Sequence, residues 1–406
     1  MRRSLLALPL IALGAPVPAQ DANTWSTLQR GLYLFRVGDC AACHTVDEDR
    51  PMAGGLGLPT PFGTIYAPNL TPDDATGIGE WSADDFHVAM TEGIRPDGKR
   101  LYPAFPYTHF TYVTRDDTDA IYDYLNSLDP VMNRVPDPEI PWPLSVRTAM
   151  RGWNLLFFDD DADFQPVEDK SDEWHRGRYL TEGLAHCSAC HSPRNLLGAE
   201  KEGAASYTGG VIEGWFAPSL RSTEGGEGIG EWSEDDLVAF LREGRNGHTA
   251  AFGPMAEVVE KSTRWLTDED VTAIATYIKD LPFEAPEVAD HEPLDEDDPK
   301  MQAGREIYAV QCAACHGIEG EGVENQFGRL AGSSLAQSEN PLTVVRMILE
   351  GARAVPTDEY PTPHAMPAFD WRLSDEDVAA VSTYVRNAFG NAAPPVTPET
   401  VADVRN

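Results

Sequence analysis

Lysine is almost missing from this chain: Lys99, Lys170, Lys201, Lys261, Lys279 and Lys300 are all it has in 406 residues. With 31 lysines and arginines against 66 acidic residues, the formal net charge is −35. Such a charge repels phosphates and excludes nucleic acid as a partner. It would steer a basic docking surface towards the chain. Adaptation of a whole proteome to salt gives the same composition, so composition leaves both readings open. Cysteine is scarce too. The six cysteines all fall in three short motifs, and none is left over for a structural disulfide. No apolar run approaches the roughly 20 residues of a membrane span. No convincing alternating strand occurs either, so the chain reads as all-α with long loops.

The first 19 residues have their own logic. Arg2-Arg3 precede the apolar run Leu5 to Leu13, and Val17-Pro18-Ala19 offers a small-residue cleavage site. Charge, length and cleavage site together read as a signal peptide over residues 1–19. The mature chain is therefore expected in the periplasm, attached to a membrane only peripherally or through partners.

What the chain does have is Cys40-Ala-Ala-Cys43-His44, repeated as Cys187-Ser-Ala-Cys190-His191 and Cys312-Ala-Ala-Cys315-His316. A lone CxxC could be half of a zinc site or a redox pair. Zinc needs two clustered pairs, whereas these pairs are widely separated in sequence. A histidine directly after the second cysteine, three times over, reads as c-type haem attachment. Two thiols bond the vinyl groups on one edge of a porphyrin, and the histidine supplies the proximal nitrogen to iron. The expected cofactors are three covalently bound haem c groups. Thioether attachment outside the cytoplasm agrees with export.

The motifs divide the chain into three comparable domains: 20–130, 171–282 and 300–390. A Pro/aromatic linker (131–170) and an acidic linker (283–299) separate them, and a short polar tail (391–406) follows. A helix with a glycine (Gly31, Gly177, Gly304) leads into each motif, and such a glycine lets another helix cross closely. Ala67-Pro68-Asn69-Leu70 returns as Ala217-Pro218-Ser219-Leu220. Gly77-Ile-Gly-Glu-Trp81-Ser82 returns as Gly228-Ile-Gly-Glu-Trp232-Ser233. The internal repeat has an offset of about 150 residues. Ser82 and Ser233 read as capping-box starts with Asp85 and Asp236, and Gly93 and Gly244 as the matching C-terminal caps. Amphipathic helices after Thr114, Thr267 and Ser374 close the domains. The linker's Trp153-Asn-Leu-Leu-Phe157-Phe158 either packs between domains or docks a partner or lipid. Small loop-rich domains of about 100 residues bury little apolar area, so each is expected to fold around its haem.

A sixth iron ligand belongs in the loop before the closing helix, and methionine there raises the potential. Met255 in Gly253-Pro254-Met255 and Met366 in His364-Ala-Met366-Pro367 fit that place. The metal ligands expected are thus His44, His191, His316, Met255 and Met366. The first domain has Leu101-Tyr-Pro-Ala-Phe105-Pro106, with phenylalanine at the methionine position. His109 is the preferred substitute, with Met90, Met52 or an open site as alternatives.

These words in this order resemble the trihaem cytochrome c subunit of membrane-bound bacterial alcohol, gluconate and fructose dehydrogenases. The resemblance rests on the three CxxCH motifs, Ala67-Pro68-Asn69-Leu70-Thr-Pro72-Asp73, Gly77-Ile-Gly-Glu-Trp81, Leu101 to Pro106, and Trp153 to Phe157. It implies three tandem class I cytochrome c-like domains wrapped on covalent haems. It also implies a partner dehydrogenase, with a flavin, quinone or molybdenum cofactor, that oxidises a sugar, alcohol or aldehyde. Electrons would pass to ubiquinone or a terminal oxidase at the outer face of the inner membrane. No catalytic residue is expected on this chain. The rival readings are a multihaem peroxidase using an open first haem, and a free carrier without a dedicated dehydrogenase.

Overall fold

Three pairs of helices carry the fold, and each pair crosses at a glycine. The computed structural model describes residues 22–159, 162–221, 228–230, 232–282 and 291–405. The expected signal peptide lies outside them, as do residues 283–290 of the acidic linker. The opening helices Ala22–Val37, Asp172–Arg178 and Pro299–Gln311 pack on the closing helices Arg115–Asn126, Asp268–Lys279 and Asp375–Asn387 respectively. A Cβ added at Gly31 would lie 2.0 Å from the Ala120 carbonyl oxygen, at Gly177 1.9 Å from that of Ala273, and at Gly304 2.3 Å from that of Ala380. No side chain fits there, so glycine is what lets the two backbones touch.

The helix ends follow from their caps. Thr114, Thr267 and Ser374 accept the backbone N–H of Asp117, Asp270 and Asp377. The middle helices Ala83–Glu92 and Glu234–Glu243 begin in full capping boxes and end at Gly93 and Gly244, both with φ 65°. Each box satisfies two orphan donors and is worth about 1 kcal/mol. Spacings of three and four turn Ile121 and Leu125, Val271 and Ile274, and Val378 and Val381 into the interior.

One expectation needs correction. The chain is mostly helical but not purely so: three short antiparallel hairpins pair Gly57–Thr60 with Gly63–Tyr66, Gly210–Ile212 with Trp215–Ala217, and Ala352–Arg353 with Ala365–Met366. Two to four residues per strand are too few to display an alternating period. The short polar tail carries structure as well. Pro398–Arg405 forms a helix that buries Val401, while Arg405 binds the Asp375 carboxylate at 2.7 Å and two backbone carbonyls.

The first two helix pairs lock together reciprocally. Arg176 grips Asp270 with a two-toothed fork, at 2.8 and 2.7 Å, and Tyr33 of the first pair donates its hydroxyl to the same carboxylate at 2.5 Å. In mirror fashion Arg30 binds Asp117 at 2.5 Å, and Tyr179 of the second pair donates to Asp117 at 2.5 Å. Each aspartate sits three residues past a threonine cap, and its helix N-terminus adds to its hold on the negative charge. The third pair has Glu306 where the others have tyrosine and attaches differently. Thr343 Oγ both accepts from the Phe216 N–H and donates to its carbonyl, and Arg346 donates to Gly214 O at 3.0 Å.

Gly177→Ala is expected to destabilise the protein by roughly 3 kcal/mol or more through forced overpacking. Gly152→Ala, in the linker helix Met150–Phe157 with nothing within 4 Å, should be neutral or stabilise by up to about 1 kcal/mol. Thermal midpoints of the two variants check this, and equal values would contradict the crossing.

Candidate haem sites

Each CxxCH forms one short helical turn at the end of an opening helix. The three histidines then share one arrangement. Nδ1–H of His44 donates to the Pro68 carbonyl at 2.8 Å, that of His191 to Pro218 at 2.7 Å, and that of His316 to Gly328 at 2.9 Å. The proton is therefore on Nδ1, and the lone pair of Nε2 is the one available to a metal. Burial lowers the pKa of all three rings, that of His44 to about 4, against a smaller opposing effect of the backbone bond. The imidazoles stay neutral, as a metal ligand must.

The thiols suit attachment better than ionic chemistry. Burial, first of all, pushes Cys40, Cys43 and Cys187 up to about 12, and Cys190 and Cys312 to about 11. Among the described residues no three His, Cys, Asp or Glu side chains gather as a metal cage. One nitrogen ligand beside two neutral thiols is what a porphyrin needs, since its own four nitrogens complete the plane. The second site opens into an apolar cavity lined by Cys187, Cys190, His191, Trp232, Leu241 and Met255. The residues fit a covalent haem.

On the distal side, Met255 lines the cavity that His191 lines. Met366 packs against the same hydrophobic cluster as Cys312 and Ala313, in the hairpin strand paired with Ala352. The repeat also locates what the first site lacks. Leu101 N–H bonds the Gly93 carbonyl as Ala251 N–H bonds that of Gly244, both at 2.7 Å. Four residues on from each stand Phe105 and Met255. Phe105 packs edge-on to Phe110, their ring centroids 5.3 Å apart.

His109 is not the replacement. It is buried, but its ring faces the second helix pair: Nδ1 donates to Glu182 O at 3.0 Å and Nε2 to Glu200 Oε1 at 2.9 Å. Both ring nitrogens are thus engaged inside the protein, which leaves neither turned to an iron. Met52 is held beside His44, its sulfur accepting from Thr45 Oγ at 3.6 Å. Met90 is buried on the middle helix at the repeat position of Leu241, which lines the second cavity.

The sites are not equally placed. Cys43 and Cys190 lie close enough for the charge of one thiolate to disfavour the other. Ser333, Leu335 and Thr343 of the third segment also line the second cavity. Cys315 alone among the six cysteines is exposed.

The sequence model of the cytochrome c family, described as "Cytochrome c", matches residues 28–129 and 301–389. The chain is 41% identical to the gluconate 2-dehydrogenase cytochrome c subunit of Pantoea cypripedii, over 100% of this chain and 95% of that protein. The chain belongs to the family of dehydrogenase cytochrome c subunits. It is also 39% identical to the alcohol dehydrogenase (quinone) cytochrome c subunit of Gluconobacter oxydans, covering 96% of this chain and 84% of that one. Identity to the fructose dehydrogenase cytochrome subunit of Gluconobacter japonicus is 34%, covering 96% and 84%. As a cytochrome c subunit, the chain carries covalent haem and transfers electrons.

Sequence reasoning missed the carbonyl partners of the histidines and the Tyr–Asp–Arg lock. Signals for both were visible: the repeated Ala-Pro words hold Pro68 and Pro218, and an arginine one residue before the glycine with a tyrosine two after it recurs at Arg30 and Arg176. Nothing local announces Glu200 as the partner of His109.

That pair predicts a pH window. Burial lowers the His109 pKa, but the bond and charge of Glu200 outweigh it and leave it above its ordinary 6.5. Burial raises Glu200, but His109 carries it below 4.5. The histidine's contribution is complete below 6.5 and lost as pH rises through its raised value; the glutamate's is complete above 4.5 and lost as pH falls through its lowered one. The contact should therefore be strongest between 4.5 and 6.5. His109→Gln should cost roughly 1–3 kcal/mol near pH 6 and less at alkaline pH. Thermal midpoints against pH for both proteins check this; an unchanged difference across the range would contradict it.

Proposed function

We propose that this chain is an exported three-haem relay, periplasmic, which takes electrons from a partner dehydrogenase and delivers them to ubiquinone or a terminal oxidase. The observation that carries the reading is the threefold histidine arrangement, each with Nδ1–H on a backbone carbonyl and Nε2 left to bind iron. Each helix pair is then one class I cytochrome c-like domain. Cys40 and Cys43, Cys187 and Cys190, and Cys312 and Cys315 hold three haems, His44, His191 and His316 are proximal ligands, and Met255 and Met366 are distal ligands of the second and third. When bound, the haem supplies a one-electron couple; ligand identity, burial and nearby charge set its potential. The protein's part is to hold the ligands, exclude water and keep the sites close.

The arrangement supports an order in space. Cys43 of the first attachment turn lies within electrostatic reach of Cys190 of the second, and the second cavity borders the third segment. The exposed turn at Cys315 is the natural contact for a redox partner. The partner, by likeness to the gluconate, alcohol and fructose dehydrogenase subunits, oxidises a sugar, alcohol or aldehyde with a flavin, quinone or molybdenum cofactor. The strong negative charge favours a basic docking face on that partner.

Phe105 gives the peroxidase reading its one specific support, because it leaves the first iron without a methionine in the usual loop. The groups that could bring a proton to bound peroxide are occupied, however. His109 is tied to Glu200, and the Tyr107 hydroxyl lies 2.8 Å from Asn154 Oδ1. With both groups so engaged, the site suits electron passage better than peroxide cleavage.

Holoprotein mixed with its partner dehydrogenase and that enzyme's substrate should show all haem bands rising as reduced haem. Carbon monoxide added then should bind one haem in three, and Phe105→Met should abolish that binding. Haem bands unmoved by substrate would sink the relay; carbon monoxide uptake by none would show a closed first site, with Met90 or Met52 as its ligand.

A further inference from the structure

The linker between the first two helix pairs presents a face unlike the rest of the molecule. Residues 140–158 contain Arg147 and Arg151 and not one carboxylate, in a chain with 66 acidic residues against 31 basic ones. Its helix Met150–Phe157 is pinned from one side. Met150 is buried with Tyr102 and Ile140, Trp153 Nε1 donates to the Leu197 carbonyl at 3.0 Å, and Asn154 meets Tyr107. Spacings of three and four put Met150, Trp153, Asn154 and Phe157 on that inner side. The opposite stripe holds Arg151, Leu155 and Leu156, with the two leucines 86% and 68% exposed.

Beside it, the turn bridged at Arg194 and Glu200 raises Leu196 and Leu197 into solvent, 97% and 55% exposed. Trp142, 82% exposed, lies on the same linker. Arg147 stacks over Tyr102 and donates to the Arg100 carbonyl, which brings the loop of Arg95 and Lys99 to this face. Those two cations share the single carboxylate of Asp97, so the loop keeps net positive charge.

We propose that this face rests on the surface of an anionic phospholipid bilayer. The apolar side chains stand out singly, from a turn tip and from the outer stripe of a short helix, rather than lining a groove that a protein partner would fill. Leucines beside arginines, with a tryptophan at the edge, match the boundary between acyl chains and headgroups. Arginines close to an anionic surface each add attraction. The charge of −35 does not forbid the contact, because screening over about 8 Å at physiological salt hides most of the molecule from the bilayer; the exposed carboxylates of Glu139 and Asp159, at the two ends of the segment, stand at the edge of the face. Among the described residues no helix is long and apolar enough to cross a membrane, so attachment through such a face would be reversible. The inner side of the linker helix meets Tyr107, two residues past Phe105, so the face adjoins the first domain. The inference stands apart from the electron relay, and the failure of either leaves the other intact.

The test is sedimentation of purified holoprotein with vesicles of phosphatidylglycerol or of phosphatidylcholine, at low and high salt. Binding to phosphatidylglycerol is expected to exceed that to phosphatidylcholine roughly tenfold and to fall with salt. The double variant Leu155→Glu with Leu156→Glu should weaken it roughly tenfold, with the haem spectrum unchanged. Leu196→Glu, at the turn tip and outside any helix, should weaken it independently. Wild-type protein that stays in the supernatant, or variants that bind as wild type does, would overturn the proposal. So would variants that keep vesicle binding but lose the cognate dehydrogenase, since the face would then be a protein interface.

Discussion

The Nδ1–H bonds from His44, His191 and His316 to the carbonyls of Pro68, Pro218 and Gly328 fix which ring nitrogen keeps its lone pair, and the proposed iron ligation depends on that choice. A free imidazole can carry its proton on either nitrogen, and a backbone carbonyl accepts only from an N–H. The carbonyl must be in place before the haem can be held rigidly, so the loop bearing it has to fold back onto the CxxCH turn. The glycine crossings at Gly31, Gly177 and Gly304 serve the same end from the other direction. They bring the closing helix within backbone contact of the opening helix that leads into each motif.

The three sites share this chemistry but not their surroundings. Asp117 and Asp270 each take an arginine from their own helix pair and a tyrosine from the other, which gives the first two pairs a near-twofold relation. In this arrangement Cys43 lies within electrostatic reach of Cys190. The third pair lacks the tyrosine and joins the second through Thr343 and Arg346 instead. Its attachment turn is left facing solvent. A relay needs both conditions: close approach inside the molecule and one accessible end.

Much of this could be read in the sequence because it depends on local, short-range physics. Glycine at a crossing, serine with aspartate three residues on, and glycine at a helix end each have one physical reason, and the structure uses Gly177, Ser82–Asp85 and Gly93 accordingly. The hairpins escaped because two to four residues show no period. The tail helix escaped because its hold comes from Arg405 on the distant Asp375. His109 misled for the same reason: its place in the chain resembles a ligand's, but its partners, Glu182 and Glu200, come from another helix pair. Contacts between segments carry no mark in local sequence, whereas a repeat offset does. The offset pairs Phe105 with Met255, and the Leu101–Gly93 and Ala251–Gly244 bonds keep that register.

The central claim is that all three CxxCH turns hold covalent haem. The intact mass of the exported, mature chain under denaturing conditions measures this directly. The account predicts a single species heavier than the polypeptide by three haems. A mature chain carrying two haems or fewer, or one that sheds its haem on denaturation, would contradict it.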